Sequence, residues 1–261
     1  MNLHYLSCYS FHGLCNRING IASALATNRL VKLHWAVNQH CPVKFEDLFN
    51  PIQGLSVINE AVDRYATGCT PNRICWFYPR DLCGVETTLF RKRLYHCYSL
   101  LLDSLKPINF EKPGGLSIGL AFRNFMPERG SLEDYISQAV SAIRHIKPNS
   151  VHIASDCENS KTRILAALRT LGLSITTNQC RLLTRDMDRN DEAVRGMVQD
   201  LLSLRKCRAG IISNTTRSSV PDSLRCSGVR TYYTQSSIRH RDNGRDDLFD
   251  YRPVKDLIDQ N

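Results

Sequence analysis

Short apolar segments alternate regularly with longer amphipathic segments in the second half of this chain, and this alternation is the strongest constraint on its fold. The apolar segments have the length of buried β-strands, and the amphipathic ones have the period of helices. Strands that alternate with helices form a parallel sheet covered on both faces. We therefore predict a doubly wound α/β domain, with strands 117–122, 151–155, 173–177, 209–213 and 229–234, and helices 131–146, 160–172 and 191–206.

Residues typical of helix ends support two of these helices. Ser131 precedes the apolar stripe of the first helix, and Asp134 stands three residues later, as in a capping box. Gly172 follows the apolar stripe of the second helix, where a glycine commonly ends a helix. The ends of these helices are therefore predicted from local chemistry as well as from periodicity.

The first half of the chain is less regular. An apolar helical stripe that includes Ile18 and Ile21 follows the sequence GLCNR, and residues 30–37 predict a strand. The stretch 38–94, with its prolines and glycines, predicts irregular structure, and residues 91–105 predict a helix. The sequence KPGG at 112–115 is the best domain boundary. We therefore predict two Rossmann-like α/β domains, a looser one at 1–112 and a larger one at 113–261.

Composition limits the environment and the partners of the chain. Its 261 residues, 42% of them hydrophobic, can bury a substantial core. No apolar run approaches the roughly 18 residues that a membrane span needs, and the N-terminus lacks the features of a signal peptide. We therefore expect a cytoplasmic protein without a membrane span.

The 11 cysteines are expected to be free thiols, because the chain shows no export signal. A zinc site is the alternative, since four of the cysteines lie near one another and near His96 in the sequence. Their gaps are long and no C-x-x-C pair occurs, whereas structural zinc sites usually include a close pair. We therefore predict no metal site at this cluster: Cys69, Cys75, Cys83 and Cys97.

A net charge of +9 suits an anionic ligand, a nucleic acid or simply a charged surface. The chain shows no basic strand with interleaved aromatic residues and no recognition helix. The charged stretch 237–247 mixes both signs, as solvated loops do. We therefore predict no nucleic-acid partner.

Polar residues directly follow several predicted strands, at the edge where α/β sheets bind ligands. Arginine clamps phosphate, small hydroxyl residues at a helix start donate to it, and a carboxylate accepts from a base or a ribose hydroxyl. The combination indicates a nucleotide or nucleotide-sugar site. Its members are Asn16, Arg17, Arg123, Asn124, Ser155, Asp156 and the run 213–216.

Each of these residues also has a structural interpretation. Arg17 and Arg123 could be surface arginines, and Asp156 could be a helix cap. The run 214–219 could be an ordinary polar loop. His12, beside Gly13, is either a ligand contact or a packed histidine, and the sequence does not decide between them.

Five segments, in order, resemble the nodulation-factor fucosyltransferases and their relatives, the α-1,6- and protein O-fucosyltransferases. GLCNR resembles the opening G-G-L-G-N-R, and IGLAFRN resembles I-G-V-H-I-R-R. HIASDCE resembles the A-T-D-D segment. The other two segments are CPVKFEDLF, which resembles C-x-x-x-F-x-D-L-F, and DLLSLRKCRAGIISNTTRSS, which resembles D-L-L-x-L-S-x-C-D-x-x-I-x-x-x-x-S-S.

The resemblance implies a GT-B-like fold and an inverting, metal-independent transfer of fucose from GDP-fucose to a sugar hydroxyl of a glycan, with the acceptor on the side of the first domain. Arg123 matches the arginine that neutralises the leaving GDP, and it is the predicted catalytic residue. The predicted donor contacts are Asn16, Arg17, Tyr135, Asp156, Asp200, Thr215 and Thr216.

Four positions depart from the family pattern, and these departures are expected to weaken contacts with the donor. Ala121 replaces a histidine, Asn124 replaces a second arginine, Ser155 replaces the first aspartate of the pair, and Cys15 replaces a glycine. These departures define the alternative, a nucleotide- or glycan-binding protein of the same fold with impaired catalysis.

Overall fold

The computed structural model describes residues 5–10, 12–59, 73–74, 87–122, 131–178, 190–213, 224–225, 227–234 and 252–259. The chain divides into two units. The first consists of Met1–Pro107 with Asp188–Val194, and the second of Ile108–Met187 with Arg195–Asn261. Within the described residues, no helix combines the length and apolar character needed to cross a bilayer.

The first unit is built on a parallel sheet with strand order β3-β2-β1-β4. Residues alternate between buried and more exposed positions along β1 and β2, so one face of these strands carries the core. Helix α1 packs on this sheet and against α3. The elements are β1 (Leu6–Ser10), α1 (Leu14–Ala26), β2 (Val31–Trp35), α2 (Phe45–Leu48), β3 (Leu55–Asn59), β4 (Arg73–Ile74) and α3 (Thr87–Asp103).

The side chain of Arg17, on α1, joins the segments that follow β1 and β2. Its guanidinium donates to the carbonyl of His12, to the carbonyl of Ala36 at 2.6 Å and to Oδ1 of Asn38 at 3.1 Å. The same group lies 4.5 Å from the ring centroid of Trp35. Since Arg17 is only 1% exposed, its interpretation as a surface arginine is wrong.

The second unit contains a larger parallel sheet, with strand order β10-β9-β8-β5-β6-β7. Its central strands are buried along almost their whole length, as expected for a sheet covered on both faces. The elements are β5 (Ser117–Phe122), α4 (Leu132–Ile146), β6 (Ser150–Ser155), α5 (Glu158–Arg169), β7 (Ser174–Thr176), α6 (Asp191–Arg205), β8 (Ala209–Ile212), β9 (Arg230–Tyr233), β10 (Arg252–Pro253) and α7 (Val254–Asp259). The second unit therefore confirms the predicted parallel α/β architecture.

Local chemistry explains how two helices of this unit begin and end. Ser131 is the N-cap of α4 and accepts a hydrogen bond from the backbone N–H of Asp134 at 3.0 Å, as predicted. Helix α5 ends at Arg169, before the predicted stop, and Gly172 then adopts a φ of +66°, which favours glycine. The glycine thus shapes the turn after the helix instead of capping it directly.

Tyr135 on α4 ties this helix to two strands of the sheet. It is 1% exposed, its hydroxyl donates to the carbonyl of Ile211 at 2.8 Å, and its ring lies 5.0 Å from the ring of Phe122. Burial raises the pKa of Tyr135 well above its ordinary value. The structure therefore gives this residue a role in the core, beside β5 and β8.

The prediction of irregular structure for 38–94 is wrong in part. Helix α2 and strands β3 and β4 lie within this stretch, and α3 begins at Thr87, before the predicted start at residue 91. The sequence does not predict strand β3 because none of its positions is fully buried, in contrast to the central strands. The charged stretch 237–247 lies outside the described residues.

Replacing Arg17 by lysine should destabilise the protein, because one ammonium group cannot serve three acceptors fixed in a fork geometry. Buried hydrogen bonds to a charged group each contribute about 1.5–3 kcal/mol, so we expect the free energy of unfolding to fall by about 2–4 kcal/mol. Urea unfolding measures this change. Arg169→Lys, at an exposed position on α5, is the matched control, and an unchanged midpoint for Arg17→Lys would contradict the role assigned here.

Tyr135→Phe should cost about 1–2 kcal/mol of stability at neutral pH, because it removes the buried hydrogen bond from the tyrosine hydroxyl to the carbonyl of Ile211. Because the pKa of Tyr135 is raised in the folded state, its contribution is complete below about pH 10 and is lost as the pH rises further. The difference in the free energy of unfolding between wild type and variant should therefore become smaller above about pH 10. Chemical unfolding at pH 7 and at alkaline pH tests both parts, and a difference that grows would refute the assignment.

Candidate functional site

The sheet of the second unit reverses its direction of growth beside β5. From β5 the chain builds outward through β6 to β7, then returns to the other side of β5 with β8 and continues to β9 and β10. Doubly wound sheets bind ligands at such a reversal, outside the carboxyl ends of the two strands that flank it. The topology therefore directs attention to the segments that follow β5 and β8.

The ends of these two strands are joined by the backbone. Ala121 pairs with Ile212, and the N–H of the buried Ser213 donates to the carbonyl of Ala121 at 2.8 Å. Arg123 follows β5 by one residue, and Thr215 and Thr216 follow Ser213 closely in the chain. Arg123, Thr215 and Thr216 lie outside the described residues, so their predicted contacts remain predictions.

Asp156 follows the neighbouring strand, β6, at the same edge of the sheet. Phe122 at the end of β5 pairs with Ser155 at the end of β6, so Asp156 comes next to the point of reversal. Oγ of Ser155 accepts a hydrogen bond from the N–H of Cys157 at 3.2 Å, and Cys157 is the N-cap of α5. The interpretation of Asp156 as the cap of α5 is therefore wrong. The residue is half-buried, and its Oδ2 atom is buried.

Asp200 lies within a buried polar network on α6. It is 9% exposed, and its Oδ1 accepts a hydrogen bond from Nδ2 of Asn178 at 2.9 Å. The same oxygen is 3.7 Å from Nε2 of His152, a residue of β6 with no exposed surface. Asp200 thus contacts other side chains of the second unit, and its predicted contact with the donor stays a prediction.

Asn178 is the centre of this network, and the sequence analysis did not identify it. Its Nδ2 also donates to Oγ of Ser203 at 3.0 Å, and its Oδ1 accepts from the N–H of Glu111 at 3.0 Å. Nζ of Lys161 donates to its main-chain carbonyl at 2.9 Å. Lys161 offered a signal in the sequence, since it occupies the buried face of α5 at helical spacing from Ile164 and Leu168.

The first unit contains two further predicted donor contacts, Asn16 and Arg17. Asn16 is half-buried in the first turn of α1, and its N–H donates to the carbonyl of Gly13 at 3.0 Å. Arg17 is buried, and its guanidinium donates to the carbonyl of Ala36 and to Oδ1 of Asn38. The predicted contacts of both residues with the donor remain predictions. The hydrogen bonds of Arg17 give it a structural role within the first unit.

His12 is half-buried in the segment between β1 and α1. Burial lowers the pKa of His12 below its ordinary value, and the nearby His40 and Arg17 lower it further. The imidazole is therefore mainly neutral at neutral pH. The structure leaves both interpretations of His12, packed residue and ligand contact, compatible with its position.

The cysteines and the possible metal ligands among the described residues bear on the predictions made for them from the sequence. Its six cysteines are free, and burial raises the pKa of Cys97 to about 11 and that of Cys207 to about 12, so both thiols stay protonated and unreactive. Among the described residues, no group of three or more His, Cys, Asp or Glu side chains could hold a metal ion. Cys69, Cys75 and Cys83 lie outside these residues, so the prediction for that cluster is not tested.

Comparison with known proteins supports the fold. No protein-family model matches the chain, and no curated protein matches it. The crystal structure of POFUT1 in complex with GDP-fucose is similar, with a TM-score of 0.50, 10% sequence identity, and coverage of 90% of this chain and 99% of that chain. The apo form of POFUT1 gives a TM-score of 0.51 with the same identity and coverage. The chain therefore has a fucosyltransferase-like α/β fold with parallel sheets.

Proposed function

We propose that this protein is a glycosyltransferase that transfers fucose from GDP-fucose to a sugar hydroxyl of a glycan. The observation that carries the proposal is the reversal of the sheet at β5 and β8, because Arg123 and the hydroxyl-rich run 214–216 directly follow these two strands. The similarity in fold to POFUT1, which has been crystallised with GDP-fucose, supports the choice of donor.

The proposed chemistry depends on charge that develops as the bond between fucose and phosphate breaks. Negative charge grows on the leaving diphosphate, and a fixed cation beside it lowers the barrier. Arg123 is proposed to supply this cation through paired hydrogen bonds to phosphate oxygens. Thr215 and Thr216 are proposed to add hydroxyl and backbone N–H donors to the same group.

Asp156 is proposed to bind the nucleoside end of the donor, as an acceptor for a base N–H or a ribose hydroxyl. The position of Asp156 at the end of β6, next to the strand that leads to Arg123, supports this role. Asp200 and Tyr135 are left out of the proposed contacts. Their side chains are buried within the second unit and are bound to Asn178 and to the carbonyl of Ile211.

The rest of the proposal follows from the resemblance to fucosyltransferases. The transfer is proposed to invert the anomeric centre and to need no metal cofactor, since Arg123 neutralises the leaving group. The protein is proposed to act in the cytoplasm, without a nucleic-acid partner.

One observation favours a second function, a nucleotide- or glycan-binding protein without transfer. Ala121 lies near the end of β5, where the family pattern has a histidine, and a methyl group offers the donor no hydrogen bond. Asn124 likewise removes one positive charge from the segment after β5. The two functions share the nucleotide site and differ in turnover.

Calorimetric titration with GDP tests the proposed site, and a separate titration with UDP is the control. We expect GDP to bind, UDP to bind much more weakly, and Arg123→Ala to reduce the affinity for GDP by at least about tenfold, a loss of about 1.4 kcal/mol. Arg169→Ala, at the exposed end of α5, is the matched control. Release of GDP from GDP-fucose in the presence of glycan acceptors then separates a transferase from a binding protein.

Three outcomes would overturn the proposal or a part of it. Folded wild-type protein that binds neither nucleotide would exclude the nucleotide site itself. Fucose transfer that is undiminished in Arg123→Ala would exclude the role given to that residue. Binding of GDP without any transfer or hydrolysis would replace the first function with the second.

A further inference from the structure

The carboxamide of Asn178 connects parts of the second unit that are distant in sequence. Nδ2 reaches Asp200 and Ser203 on α6, and Oδ1 accepts from the N–H of Glu111, in the segment that precedes β5. The residue is 5% exposed and lies two positions after the last residue of β7. This one side chain therefore fixes α6 against the end of β7.

The main-chain carbonyl of Asn178 extends the network to α5. It accepts a hydrogen bond from Nζ of Lys161, which is 4% exposed, and Glu158 lies 4.0 Å from the same ammonium group. Lys161 belongs to the first turns of α5, and its N–H donates to the carbonyl of Cys157. The network therefore ends within one helical turn of Asp156.

We propose that Asn178 is a positioning residue for the donor site, which holds α5 and α6 together and thereby fixes the turn 155–157 that carries Asp156. The proposal rests on the proposed function, because Asp156 is the carboxylate assigned to the nucleoside end of the donor. Asn178 itself touches no reacting atom in this scheme. It sets the place from which Asp156 contacts the nucleotide.

An amide is the side chain that this position requires. Its nitrogen donates to the carboxylate of Asp200, while its oxygen accepts from the backbone of Glu111. Asn178→Asp keeps the acceptor and replaces the donor with a second carboxylate, facing Asp200. Since buried like charges this close repel strongly, the variant should separate α6 from the end of β7.

The surroundings of Asn178 determine how this variant responds to pH. The titratable groups that face it are Asp200 from α6, His152 from β6 and Lys161 from α5, with Glu158 beyond the lysine. Two carboxylates that share a buried site repel each other, and one proton added to the pair removes this repulsion. The defect of Asn178→Asp should therefore shrink as the pH falls.

The experiment compares wild type, Asn178→Asp and the double variant Asn178→Asp/Asp200→Asn, which returns one amide and one carboxylate to the pair. Asn149→Asp is the matched control, since Asn149 is exposed and its Oδ1 accepts from the N–H of Leu116, which an aspartate also does. Two quantities are measured between pH 6 and pH 8 on folded protein: the affinity for GDP by calorimetry, and amide hydrogen exchange in peptides that cover 155–161.

We expect Asn178→Asp to bind GDP about tenfold more weakly than wild type at pH 8, with a smaller ratio at pH 6. At pH 8, amide exchange at 155–161 should be faster in Asn178→Asp than in wild type. The double variant should recover the wild-type values of both quantities. Asn149→Asp should match wild type throughout. Recovery in the double variant also shows that the single variant failed through the pair and not through a general loss of folding.

Other results would overturn the inference. If Asn178→Asp lowers only the thermal stability, and the folded protein keeps its affinity for GDP and its exchange at 155–161, the residue is merely structural. If wild type binds no GDP, the proposed function fails, but exchange at 155–161 still decides whether Asn178 holds this turn. Unchanged exchange in the variant would then refute the inference on its own.

Discussion

The structure of the second unit depends on one constraint, the parallel pairing of β5 with β6 on one side and β8 on the other. Parallel strands need a crossover between each pair, and their carboxyl ends then point to the same edge. Because the chain leaves β5 in one direction and returns on the other side, β5 and β8 flank a reversal of the kind at which doubly wound sheets bind ligands. The position of Arg123 in the sequence has meaning only through this arrangement.

Close packing against β5 keeps that arrangement rigid. Gly119 lies in this strand, and a Cβ atom there would come within 2.7 Å of Leu204 and 3.3 Å of Cys207. The last turn of α6 and the segment after it therefore approach the strand closely. Tyr135 fastens α4 to the carbonyl of Ile211 on β8. The two strands that flank the reversal are thus held by side chains as well as by the ladder of backbone hydrogen bonds.

Buried polar side chains perform a similar task in each unit. In the first unit, Arg17 binds acceptors that follow β1 and β2, and in the second, Asn178 binds groups on α5 and α6. Irregular segments at the ends of strands leave backbone groups without ladder partners, and such groups cost free energy when buried unpaired. A guanidinium or carboxamide satisfies several of these groups at once and fixes their geometry. Networks of this kind are a physical basis for a preorganised edge, and two of the predicted donor contacts, Arg17 and Asp200, belong to them.

The sequence predicts those parts of the structure that depend on local chemistry and periodicity. The cap formed by Ser131, the strand 117–122 and helix α6 follow from residues close together in the chain. Strand β3 was missed because its residues are only partly buried or exposed. The partners of Asp200 and Arg17 lie far away in sequence, at Asn178 and Ala36, so no local pattern reveals that both side chains are committed within the protein.

Ser155 replaces the aspartate of the family pattern, and it can perform the same structural role without the negative charge. The resemblance places an aspartate at this position, and Oγ of Ser155 supplies the acceptor that the N–H of Cys157 requires at the start of α5. An aspartate offers the same acceptor at such a turn, since both residues are favoured there. The turn that carries Asp156 is therefore compatible with either residue, whereas the local charge differs by one unit. A serine in this position leaves the edge of the sheet less negative, and a less negative edge repels an anionic diphosphate less.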